Sequence, residues 1–134
     1  MDWMLLPYKR YVDFSGRSQR KEYWMFALFT MLVSLLIDGT LGGSWSVVMG
    51  LRHTPSMTGS LLGGFFALVN FLPSLAVTVR RLHDTDRSGW WFLILLVPIV
   101  GWVIWLWLMV SDGTPGANRF GEDPKGRGLY GVFN

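Results

Sequence analysis

Three stretches of the chain, 23–37, 57–79 and 90–110, carry no charged side chain at all. At about 1.5 Å per residue, an unbroken helix of about twenty residues crosses roughly 30 Å of hydrocarbon. A core helix of a soluble domain rarely runs that long without a polar face. Lipid offers backbone groups no partner, so each stretch is expected to be helical, with its N–H groups paired inside its own segment. The first is entered after Lys21 and Glu22 and meets Asp38 before the Gly42, Gly43 break, which sets its span at 23–41. The predicted fold is an all-α membrane protein, a single membrane domain over 1–134. Its three transmembrane helices at 23–41, 57–79 and 90–110 are flanked by an interfacial N-terminal segment (1–22), a basic loop (80–89) and a short polar C-terminal tail (111–134).

A chain of 134 residues that is 51% hydrophobic and 16% charged has little room for a soluble domain beside three spans. Its eight Trp suit a protein that marks two water interfaces, since indole is apolar with one polar N–H. The absence of Cys excludes disulfides, thiolate nucleophiles and Cys-ligated metals or iron–sulfur clusters. The first apolar run follows a polar and aromatic segment with no small-x-small cleavage site, so it is expected to remain as a signal anchor.

Lys and Arg near the spans set the expected orientation. Lys9, Arg10, Arg17, Arg20 and Lys21 precede the first span, and Arg80, Arg81 and Arg87 lie between the second and third. The first loop offers Arg52 alone, and the tail's Arg119, Lys125 and Arg127 are balanced by Asp112, Glu122 and Asp123. The positive-inside rule then puts the N-terminus and the second loop in the cytoplasm, and the first loop and the tail outside. Pro98 and Gly101, in the middle of 90–110, are expected to kink one crossing rather than turn it back as a re-entrant hairpin, because 21 residues are too few for two full crossings.

In the N-terminal flank, Trp3, Leu5, Leu6, Tyr8, Tyr11, Val12 and Phe14 interleave with Lys9, Arg10 and Asp13, which predicts a short helix in the headgroup layer with Pro7 at its first position. A poorly ordered end is the alternative. The tail is punctuated by Gly113, Pro115, Gly116, Asn118, Gly121 and Pro124 and is expected to be a hydrated loop. Its acids lack the alternating spacing of a calcium loop, so neither a metal nor a cofactor is expected.

Phe14-Ser15-Gly16-Arg17, Arg20-Lys21-Glu22-Tyr23-Trp24, Val79-Arg80-Arg81-Leu82-His83-Asp84, Ser88-Gly89-Trp90-Trp91 and Asn118-Arg119-Phe120-Gly121-Glu122-Asp123-Pro124, with Pro73, Pro98 and Gly101 between them, form a specific combination. Over Phe14 to Pro124 the chain resembles the small bacterial inner-membrane family called domain of unknown function 805. Phe120 stands where a tyrosine is expected in many relatives. The resemblance implies a bacterial multi-pass inner-membrane protein and assigns it no activity.

The block from Arg80 to Trp91 is the candidate site. With span two ending near Val79, Arg80, Arg81, His83 and Asp84 are expected at the cytoplasmic headgroup level, Arg80 pairing with Asp84 one turn on. Ser88 or Asp86 capping span three would leave helix amides facing the same layer, and the ligand chemistry predicted there is an anionic lipid phosphate or a partner's acidic group. Arg17, Arg20 and Lys21 should stand at the same depth. Topology alone also calls for arginines there, satisfied by snorkelling or by pairing with Asp84, Asp86 or Glu22. No activated nucleophile or metal cluster accompanies His83 and Asp84, and His53 is expected on the opposite side, so no catalytic site and no enzyme are predicted.

Span two also carries Gly59, Gly63 and Ala67 four apart, and with Asn70 and Ser74 they fall within about an 80° sector of one helix face. That stripe is expected to pack against another span, a second copy or a membrane-protein partner. Asn70 is expected to hydrogen-bond across the interface or to meet the Val69 carbonyl that Pro73 frees. The alternative is a subunit of a small oligomeric transporter or channel, with Asn70 and the Pro98 kink lining its path. A sequence pI near 9.6 and a net charge of +3 suggest nucleic acid at first sight. The basic residues, however, hug span ends rather than form a stripe with free aromatics, so no nucleic-acid partner is expected.

Overall fold

The computed structural model describes residues 2–42, 50 and 56–126. The side chain of Trp3, together with Arg52, His53 and Arg127, lies outside the described residues. All the regular structure described is helical: α1 (Asp2–Lys9), α2 (Arg20–Leu41), α3 (Met57–Asp84), a 3₁₀ helix (Gly89–Leu96) and α4 (Val100–Val110).

Local signals set most of the ends. Gly42, at φ 73°, takes the left-handed conformation that closes α2, its N–H donating to the Asp38 carbonyl. Ser56 caps α3, its hydroxyl accepting from the Gly59 N–H at 3.0 Å. Pro7 lies inside α1 rather than at its first position, because the helix already begins at Asp2.

α2 and α3 are each long and apolar enough to cross a membrane. Their apolar side chains point outwards, among them Met31, Leu32 and Leu36 on α2 and Leu61, Phe65 and Leu68 on α3. In water such a surface would associate, whereas in hydrocarbon it costs nothing. Inward packing is concentrated at one end, where Tyr23, Phe26, Val77, Leu82, Leu108 and Met109 form a core cluster.

α1 packs across α2 and α3. The Tyr8 ring meets Phe26 and Phe29 edge-on, at 5.4 and 6.1 Å between centroids, and its hydroxyl donates to Asn70 Oδ1. Tyr11 donates to the Val69 carbonyl, the group whose helical partner Pro73 removes. Asn70 therefore does not serve that carbonyl; its Nδ2 donates to the Phe66 carbonyl, 2.8 Å away.

The stretch 90–110 is not one kinked helix. The 3₁₀ helix ends at Leu96, and the chain reverses through a γ-turn in which the Val100 N–H donates to the Pro98 carbonyl at 2.7 Å across Ile99 (φ 64°, ψ −69°). Its two arms then run back against each other, so closely that a Cβ on Gly101 would collide with the Ile94 carbonyl. Both arms start and finish at the same end of the molecule. Gly89 lies against Val79, where an added Cβ would come 2.9 Å from Cγ1, and Ser111 lies against Arg81. The start of the tail therefore packs beside the 80–89 loop, where the Thr114 N–H donates to the Asp84 carbonyl, instead of lying at the far end of a third long helix.

Candidate functional site

The charged residues singled out in the sequence for the candidate site gather in a cap around the C-terminal end of α3, with Asn70 well apart from them. Arg80 and Arg81 are 0% exposed, so neither guanidinium reaches a headgroup layer directly. Successive residues on a helix point about 100° apart, and the two arginines accordingly serve different neighbours. Arg80 donates through Nη2 to Glu22 Oε1 on α2 at 3.0 Å and through Nη1 to the Asp13 carbonyl. Its pairing is with Glu22 rather than with Asp84, as four-residue spacing had suggested. Arg81 takes Asp84, three residues on, with Nη1 at 2.5 Å from Oδ2.

Asp84 is shared. Its other oxygen, Oδ1, lies 2.9 Å from Arg17 Nη2, and the same guanidinium donates to the carbonyls of Thr114 and Gly116 at 2.6 Å each. Asp123 stands 4.0 Å from Arg17. Within the cap, three buried arginines, Arg17, Arg80 and Arg81, are matched by three buried carboxylates, Glu22, Asp84 and Asp123; Asp38, also buried, lies near the other end of α2. A buried charge left unmatched would cost several kcal/mol, and the matched charges offset that cost.

The same groups close helix ends. Arg81 donates to the carbonyls of Leu108 and Ser111, Trp24 Nε1 to that of Met109, and Arg20 to that of Val110. The last turn of α4 has no intrahelical partner for these carbonyls, and cations there also oppose the helix dipole. At the end of α3, Thr114 N–H donates to the Asp84 carbonyl and Asn118 Nδ2 to that of His83, both at 2.9 Å. Gly113 is required by closeness, since a Cβ there would fall on the Asp84 carboxylate.

His83 faces away from Asp84. Its Nδ1 lies 3.2 Å from the Gly16 carbonyl, which can only accept, so Nδ1 carries the proton; its ring stacks on Phe120 at 3.8 Å. Both oxygens of Asp84 are held by arginines, and His83 and Asp84 form no acid–base pair. Neither Ser88 nor Asp86 caps the helix that follows. Ser88 makes no side-chain cap bond, and Asp86 accepts from Arg119 at 3.1 Å. In the preceding turn Asp13 is held below its ordinary carboxyl range first by the Ser15 hydroxyl that donates to it, with help from Arg10.

Of the expected packing stripe, Asn70 and Pro73 are buried near α1 and Gly59 is buried as well. Gly63 has open space where a side chain would stand, and Ala67 is exposed. Arg20 is partly exposed and Lys21 is exposed. These two residues line a groove of about 470 Å³ with Gln19, Trp24, Met25, Val110 and Lys125. Arg20 also pairs with Asp112 at 2.9 Å, and Lys125 pairs with the same carboxylate. Lys125, Tyr8 and Tyr11 were not recognised in the sequence as parts of the site. The one available signal was the spacing of the two tyrosines, three apart in the N-terminal flank.

Two long helices apolar on their outer faces, with a buried ion network at one end, define the class: an α-helical membrane protein with a polar cap. The chain belongs to the family described as "Protein of unknown function (DUF805)", whose model matches residues 11–122. It is similar to the inner membrane protein YhaH of Escherichia coli (strain K12), 47% identical over 129 residues that cover 93% of this chain and 98% of that one. It is also similar to the inner membrane protein YhaI of the same strain, 44% identical over 125 residues that cover 93% and 97%. A more distant relative, the uncharacterized protein YiiR, is 29% identical over 139 residues. No solved structure matches the chain.

Proposed function

We propose that the chain is a bacterial inner-membrane protein with two crossings, α2 and α3, and a re-entrant hairpin over 90–110, and that its cap lies at the cytoplasmic surface and binds an anionic phospholipid. The observation that carries this reading is the groove at the start of α2. Arg20 and Lys21 from α2 and Lys125 from the tail converge on it against a single carboxylate, Asp112, while Trp24, Met25 and Val110 form its apolar side. A lipid phosphate is matched by the cations, and its glycerol and upper acyl chain by Trp24 and Met25. Arg80 and Arg81 take no part, being spent on Glu22, Asp84 and backbone carbonyls. The cytoplasmic placement follows from the concentration of Lys and Arg on the N-terminal flank and the second loop.

Native mass spectrometry of protein released in mild detergent tests the site. The wild-type chain should retain phosphatidylglycerol or cardiolipin in preference to phosphatidylethanolamine, and Lys21→Gln with Lys125→Gln should lose that preference. Equal retention of anionic lipid by both would overturn the site.

A further inference from the structure

We infer that the molecule is a wedge, broader in the leaflet that holds the cap than in the opposite leaflet, and that it favours membrane whose cap-side leaflet is convex. This rests on the re-entrant topology proposed above. The arms of the hairpin, 8 residues of 3₁₀ helix and 11 of α-helix, are each about 16 Å long at 2.0 and 1.5 Å per residue, roughly half the hydrocarbon thickness. Tyr8 of α1, and Tyr11 just after that helix, reach a similar depth, since their hydroxyls meet Asn70 and the Val69 carbonyl, about 15 Å below Arg80 along α3. The cap-side leaflet therefore holds α1, α2, α3 and both hairpin arms. Beyond mid-depth, among the described residues, only α2 and α3 continue.

Burial follows the same gradient. Nine of the ten buried residues of α3 lie between Asn70 and Asp84, and the exception is Gly59. In the far half Met57, Leu61, Phe65 and Leu68 are exposed. The hairpin ends in a blunt apolar tip: Leu96 is 79% and Ile99 72% exposed, with no charged or hydrogen-bonding side chain from 92 to 101 to draw that tip to a second interface. Trp90, Trp91 and Arg87, by contrast, stand at the cap, with the Arg87 guanidinium 4.2 Å from the Trp91 ring. Lipid in the opposite leaflet must fill the space beneath the tip. Protein cross-section added to one leaflet alone expands that leaflet, and bending the bilayer convex on that side relieves the mismatch.

The chain has no Cys, so single cysteines report orientation cleanly. Val12→Cys and Glu122→Cys place thiols on exposed cap positions, one before α2 and one in the tail. Each variant is reconstituted into small sonicated and large extruded vesicles and labelled with an impermeant maleimide before and after permeabilisation. The expected result is an outward-to-inward ratio of the cap severalfold higher in the small vesicles, whose outer leaflet is strongly convex. An orientation ratio independent of vesicle size, with the two thiols reporting the same side, would overturn the wedge and leave the topology standing. Opposite labelling of Val12→Cys and Glu122→Cys would instead overturn the re-entrant topology, and the wedge with it.

Discussion

Arg80 on α3 and Glu22 on α2 form an ion pair at 3.0 Å in which neither side chain is more than 4% exposed. Removing one partner strands the other charge in the dry cap, so Glu22→Ala is expected to destabilise the fold by about 3–5 kcal/mol. Replacing both, as Glu22→Leu with Arg80→Met, should recover most of that loss, because an apolar pair needs no partner. Unfolding by SDS in mixed micelles reads both values. Equal losses in the single and the double variant would show that the pair's geometry, rather than its uncompensated charge, matters.

Gly113 and Asp84 make a second test. A methyl group at Gly113 would occupy the space of the Asp84 carboxylate and push it off Arg17 and Arg81, the bonds that fasten the tail to the cap. Gly113→Ala should leave helix content unchanged while trypsin cuts at Arg119 and Lys125 several times faster than in the wild type. Asp84→Asn should behave alike. An unchanged rate of tail cleavage in both would mean that the tail is held elsewhere.

The Asp13 turn gives a pH dependence whose sign is determined. Its carboxyl is held below the ordinary value of 3.8, chiefly by the Ser15 hydroxyl. A lowered folded pKa means that its contribution is complete above that ordinary value and is lost as pH falls through the lower folded one. An NMR titration of the Asp13 carboxyl in detergent should show a midpoint below 3.8, moving upward in Ser15→Ala. No movement would remove the hydroxyl as the cause.

The apolar runs, the Gly42 stop and the Val69 carbonyl freed by Pro73 were all legible in the residues, because each depends on neighbours within a turn or on composition. The hairpin was not. Pro98 and Gly101 suit a kinked helix and a reversal equally well, and what decides between them is distant: Arg20, Trp24 and Arg81 supply the donors that let α4 end beside α2 and α3. The same distance hid the fate of the double arginine. Helical periodicity shows that Arg80 and Arg81 diverge, but not that Glu22 and the tail stand ready on the two sides.

Ile99 stores strain at the hairpin tip. A β-branched residue at φ 64° lies outside the usual regions, at a cost of order 1–3 kcal/mol. Little protein packing offsets this, since the side chain is mostly exposed. Ile99→Gly should therefore raise stability by about 1 kcal/mol after the greater entropy of glycine in the unfolded chain is subtracted. Thermal or SDS unfolding that shows Ile99→Gly to be weaker than wild type would argue against the γ-turn.

Tyr11 and Pro73 should be energetically coupled, because Tyr11 supplies the Val69 carbonyl with the donor that Pro73 withholds. Tyr11→Phe in the native background leaves that carbonyl unpaired at membrane depth and should cost about 1 kcal/mol. In Pro73→Ala the restored N–H at position 73 can take the carbonyl itself, so the same tyrosine change should then cost close to nothing. A double-mutant cycle measured by SDS unfolding gives the coupling directly. A cost for Tyr11→Phe that is the same in both backgrounds would mean that the hydroxyl acts on α1 packing alone, and that the carbonyl freed by proline finds another donor.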